Sequence, residues 1–226
     1  GTSDSSSVGN TNMLSDYAAI KNGSYGKLMK AYYAKQDAEK LSGKGDTSQK
    51  LTLMKTSADS LKKSADALND SSLWEKKKIK KKDEKTGEEI EVEDYDWDKI
   101  TKAVKSFVED YNDVVKEAGE SNTKDVLRNA SWMTGMTDKN SNMLAQIGIT
   151  IGKGNKLELD EDALKQADIS SLKTVFTGYN SFVSKISQKA TGISNAANRA
   201  SATYTNNGTY SKTDSSLTSS KIDKEV

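Results

Sequence analysis

Apolar residues along this chain fall on narrow helical stripes. From Asp46 to Asn69 they sit at Leu51, Met54, Ala58, Leu61, Ala65 and Leu68, alternating steps of three and four that keep one seam facing a partner helix. A second stripe runs through Trp97, Ile100, Val104, Phe107, Tyr111, Val114 and Ala118, with Gly119 as its stop. The third is the longest: Ile169, Leu172, Phe176, Tyr179, Val183, Ile186, Ala190, Ile193, Ala197, Ala200 and Tyr204. It reads as one unbroken rod roughly 50 Å long at about 1.5 Å per residue. Val126, Leu127, Ala130 and Met133, then Met143, Leu144 and Ile147, predict shorter helical pieces between the long ones.

Two segments break the helical period. A Lys-rich arm (Lys76 to Lys82) and a Glu-rich arm (Glu88 to Asp94) flank the turn residues Asp83 to Gly87. Paired antiparallel, they set opposite charges face to face, with Ile79, Ile90 and Val92 as a thin apolar side, so a β-hairpin is expected over 75–94. Because so little apolar surface is involved, it should project from the bundle and be dispensable for folding. A smaller hairpin is expected from Ile147–Ile151, a turn at Gly152–Asn155, and Lys156–Leu159, followed by a short helix capped by Asp160. The fold expected is mainly α: an elongated antiparallel helical bundle or coiled coil with one or two small β-hairpins.

Toward the ends the pattern fades. Residues 1–12 and 206–226 are rich in Ser, Thr, Asn and Gly and are expected to be loose tails. The region 13–205 is read as one helical-bundle domain carrying hairpins at 75–94 and 147–159. Within it, Gly23 and Gly26 break the segment Ser15 to Lys40, so its helix is placed from about Ser24 and ends at Gly43 and Gly45. The opening Gly1, with no Met before it, reads as a trimmed N-terminus, which leaves room for a targeting segment ahead of it.

Composition narrows the function. Only 34% of residues are hydrophobic and 30% are charged, which suits two-sided helices better than a thick core. Lys and Arg number 34 against 33 Asp and Glu, a net charge of +1 that offers no surplus for nucleic acid. Cys, His and Pro are all absent. The usual zinc ligands, the thiolate nucleophile and the neutral-pH acid and base go with them, so no enzyme, catalytic residue, cofactor, metal site or small-molecule substrate is expected. No apolar run of membrane-spanning length occurs.

The remaining motifs each have a plainer reading. The run Lys76 to Lys82 could meet phosphate or anionic lipid, but the acidic arm follows at once and pairs with it. The acidic cluster Glu88 to Asp98 lacks the Asp-x-Asp-x-Asp-Gly loop of a calcium site. Asp160, Glu161 and Asp162 suit a helix's first turn better than glycoside hydrolysis. Gly148, Gly152 and Gly154 form no phosphate-binding signature. The functional candidates are therefore seam residues, for packing or assembly: Leu61, Leu68, Trp97, Phe107, Tyr111, Phe176, Tyr179, Val183 and Ile186.

The stretch Ile100 to Phe176 resembles the C-terminal part of the flagellar hook-associated protein 2 family, the filament cap proteins. The elements that carry the likeness occur in order: Phe107, Tyr111 and Asn112 on a helix; Ile147, Gly148 and Ile149 opening a hairpin; Leu157, Leu159, Asp160 and Glu161 closing it; then Val175 and Phe176. The helix Leu53 to Glu75 is similar to the family's N-terminal helix. Family members carry a large variable β-rich region between these parts, where this chain has only the hairpin of 74–94. The resemblance implies the helical stalk of a cap-like structural protein outside the cell, at the bacterial flagellum or cell surface. Its partners would be protein subunits, either its own copies or flagellar axial proteins. A second class stays open, a secreted or surface-displayed helical module for binding or adhesion. A bundle whose seams are mutually satisfied predicts weak self-association.

Overall fold

The computed structural model describes residues 45–222, with side chains through 203. The expected tail 1–12 and the helix expected from Ser24 lie outside the described residues. The order is α1 (Ser48–Leu68), a 3-10 turn (Ser71–Trp74), β1 (Lys77–Lys82), β2 (Glu89–Asp94), α2 (Trp97–Gly119), α3 (Lys124–Lys139), α4 (Ser141–Ala145), β3 (Ile149–Ile151), β4 (Leu157–Leu159), α5 (Glu161–Gln166), α6 (Ile169–Phe176) and α7 (Phe182–Ile222). A mainly α fold with two small antiparallel hairpins is what the stripes predicted.

Four helices make the core. α1 packs against α2 and α7, α7 against α3, and α3 against α2, so each has a neighbour on two sides. Long-range hydrogen bonds fix the directions. Ser187 Oγ donates to Asp66 Oδ1 at 2.7 Å and Ser194 Oγ to Asp59 Oδ1 at 2.6 Å, so a step forward along α7 is an equal step back along α1. Lys189 lies over the Trp132 ring and Gly192 lies against Asn129, which runs α7 antiparallel to α3 as well. The bundle is up-down-up-down, with the charged hairpin inserted between α1 and α2 and residues 140–181 between α3 and α7.

The stripes are buried much as the spacing demands. Leu51, Met54, Ala58, Leu61, Ala65 and Leu68 of α1 face inward, as do Ile100, Val104, Phe107, Tyr111, Val114 and Ala118 of α2. Thr101, Val108 and Val115 add a second buried row on α2. The insertion packs there too, through β4 and α5. Asn112 anchors it: its side-chain amide donates to the Leu157 carbonyl at 2.9 Å and its Oδ1 accepts the Leu157 N–H at 2.7 Å, acting as one more rung beside β4. Both expected hairpins form, with Ile79 opposite Val92 and Ile149 opposite Leu159. Asp160 caps α5 by accepting the Ala163 N–H at 3.0 Å.

The third stripe is not one rod. α6 ends at Phe176, Gly178 takes φ +98°, and α7 starts afresh at Phe182. A left-handed backbone is inexpensive for glycine and stops a helix. The turn is then held from both sides: Gly178 N–H donates to Asn69 Oδ1 at 2.8 Å, and Ser181 Oγ accepts the Ser184 N–H at 3.2 Å. The seam keeps its phase across the break because Phe182, which the stripe had passed over, turns inward with Val183. At the far end α7 is helical to Ile222, past the residue 205 set as the domain's limit; the side chains of 204–222, including Tyr204, lie outside the description.

Candidate assembly surface

At one pole of the bundle an aromatic plug supports the charged hairpin. Trp74, at the end of the 3-10 turn, stacks on Phe176 with ring centroids 5.6 Å apart, and its indole N–H donates to the Leu68 carbonyl at 2.8 Å. Phe107 meets Phe176 and Phe182 edge to face, each at 6.4 Å, and Tyr111 at 6.2 Å. Four stretches of chain are thereby locked to one another through one stacked and three tilted ring contacts, geometries that aromatic pairs prefer.

The hairpin joins the core through Tyr95, which packs against it, meets Trp97 edge to face at 6.3 Å and takes Lys76 and Lys173 near its ring at 5.7 and 5.9 Å. Asp94 accepts the Tyr95 N–H and the Lys81 ammonium, both at 2.7 Å. The lysine first, then the backbone N–H, holds its carboxylate below the usual range. One face of the ribbon carries Lys78, Lys80 and Lys82 opposite Glu93, Glu91 and Glu89; the other carries Ile79, Val92 and Ile90. The turn is closed by the Gly87 N–H to the Asp83 carbonyl and by Asp83 Oδ1 accepting the Lys85 N–H, with Gly87 at φ +72°.

The opposite pole is clasped by Asp46. Its carboxylate accepts Ser121 Oγ at 2.7 Å, Asn122 N–H at 2.7 Å, Thr123 N–H at 3.0 Å and Thr123 Oγ1 at 2.6 Å, tying the start of α1 to the loop between α2 and α3. Burial pushes its pKa up, and these four hydrogen bonds together outweigh that and hold it below the ordinary value. Asp59 and Asp66 behave alike: partial burial raises their pKa values, while a lysine on α1 and a serine on α7 bring them down past the starting point.

Of the nine seam candidates, Leu61, Leu68, Phe107, Tyr111, Phe176, Val183 and Ile186 are buried within the one core, and Trp97 is half-buried at the hairpin's foot. Tyr179 is not a seam residue: it stands 82% exposed just past Gly178, because the break rotates it off the stripe. Its signal was readable in Gly178 followed by Ser181, a helix stop and a helix cap three residues apart. Exposed Trp132, with the Lys189 ammonium 4.5 Å from its ring centre, marks the α3–α7 side. Asp46, Asn112 and Trp74, which organise the two poles and the insertion, were not singled out among the candidates, since each acts through partners distant in sequence.

Among the described residues no group of His, Cys, Asp or Glu is arranged to hold a metal ion, and no helix is long and apolar enough to cross a membrane. Residues 121–225 match the family model of the flagellar hook-associated protein 2 C-terminus. Over that segment, a little under half of the chain, the sequence is similar to this family. No curated protein and no solved structure matches the chain. The hook-associated protein 2 family is a structural component of the bacterial flagellum. Its matched segment begins at Ser121, inside the Asp46 clasp, and takes in α3, the insertion and α7. The other half of the bundle, α1 and α2, lies before it in sequence and shares its core.

Proposed function

We propose that this chain is the helical stalk of a cap-like hook-associated protein, working outside the cell in assembly at the flagellum through contacts with protein subunits rather than through chemistry. The observation that supports this most is the joining of α1 and α2 to the family-matched segment in a single four-helix core. A stalk of this kind has two working poles. The hairpin occupies one; the other is where the chain enters at Gly45 and α7 leaves.

The test is end-specific binding to filaments. Gold-labelled chain mixed with purified flagellar filaments should decorate filament ends in electron micrographs. Label scattered along the filament, or none on filaments while intact cells stripped of flagella still bind it, would replace this reading with the surface-binding module.

A further inference from the structure

Among the described residues the charged hairpin is a sheet of two strands, and its two outer edges differ in character. The Asp83 N–H donates to the Glu88 carbonyl at 2.9 Å, which makes 81/90, 79/92 and 77/94 the hydrogen-bonded pairs of the ladder. The alternate pairs, 82/89, 80/91 and 78/93, therefore turn their N–H and C=O groups outward. Those outward positions are Lys78, Lys80 and Lys82 on β1 and Glu89, Glu91 and Glu93 on β2, and all six are exposed. A two-stranded ribbon with such edges is a template for a further strand.

We propose that these edges join copies of this chain head to tail, the Lys-rich edge of β1 in one copy pairing antiparallel with the Glu-rich edge of β2 in the next. Charge decides among the possible pairings. β1 against β1 would oppose lysine to lysine and β2 against β2 would oppose glutamate to glutamate, both destabilising, whereas β1 against β2 repeats the pattern already present inside the hairpin. The same pairing sets Ile79, Val92 and Ile90 of successive copies side by side, extending an apolar strip that in one copy leaves Ile90 40% exposed. Each contact is unlike-to-unlike, so it leaves a free edge at each end and propagates instead of closing as a two-fold dimer. A six-residue strand covers far less area than a standard interface, so the association is weak and salt-sensitive. The inference rests on the hairpin alone and holds whether or not the stalk reading does.

Sedimentation velocity of the full chain, read across concentration, tests it. In about 20 mM salt the mean size should rise with concentration, and in about 0.5 M salt, where screening is within a few ångströms, it should return to that of one chain. Lys80→Pro removes an outward N–H while leaving the inner ladder intact, as proline on an edge strand permits, and should abolish the rise with circular dichroism unchanged. K78E/K80E/K82E makes both edges acidic and should abolish it as well. Adding E89K/E91K/E93K to that variant restores opposite edges, and association should return. A single-chain size up to about 1 mM in low salt, a range that would detect even millimolar affinity, overturns the proposal. So does a rise with concentration that survives both Lys80→Pro and the triple charge reversal.

Discussion

The bundle and the hairpin answer the same problem of marginal stability in opposite ways. In the bundle, side chains such as Leu61, Phe107 and Ile186 are wholly removed from water, and each is worth roughly 1.5–3 kcal/mol in burial alone. In the hairpin nearly every side chain stays wet; its ion pairs, Lys78 with Glu91 and Lys81 with Asp94, are solvated contacts of the kind worth under about 1 kcal/mol. The helices hold the fold and the ribbon is held by it. A segment that contributes little to stability is free to present its surface to something else.

The sharpest break in that contrast comes from Phe107→Ala. It empties the centre of the ring cluster that joins α2, α6 and α7, and should cost about 3–5 kcal/mol in denaturant unfolding. Gly148→Ala should follow at about 2–3 kcal/mol, because Gly148 has φ +86° and an added Cβ would lie 2.6 Å from the Asp160 carbonyl oxygen and 2.9 Å from the Leu164 nitrogen.

Asp46→Asn should cost about 1–2 kcal/mol at neutral pH by weakening charge-assisted hydrogen bonds. It should also remove part of the acid sensitivity. Asp46 is held below 3.8, so its contribution is complete above that value and is lost as pH falls through the lower folded-state pKa. Stability measured from pH 7 to pH 2 should therefore fall less steeply in the variant. Smallest of all is the replacement of residues 77–94 by a short Gly/Ser linker, which should shift stability by under about 0.5 kcal/mol and leave the helical circular dichroism intact. A large loss there would make the ribbon an organiser of the core and erase the contrast.

What could be read in the sequence follows the range of the interactions. The α1 and α2 stripes, both hairpins and the Asp160 cap depend on residues a few positions apart, and periodicity or turn chemistry is enough to find them. The apolar period alone masks the break that Gly178 and Ser181 signal, because its phase is nearly the same on both sides, so Tyr179 could stand in for Phe182 on paper while the chain turns between them. Contacts that cross the chain were out of reach. Nothing near Asp46 announces Ser121 and Thr123, and nothing near Asn112 announces Leu157, since side-chain hydrogen bonds between remote segments have no period.

The antiparallel packing of α1 on α7 has a mechanical corollary. The chain enters α1 at the pole toward which α7 runs out, so tension applied between these two strands of chain would peel the helices apart turn by turn. Tension between the hairpin and that pole would instead have to slide α1 along α7 with all the seam contacts resisting together, and with the Asp59–Ser194 and Asp66–Ser187 bonds loaded in parallel. Forced unfolding follows the unfolding rate along the direction pulled. The same molecule should act as a zipper across its base and as a strut along its length.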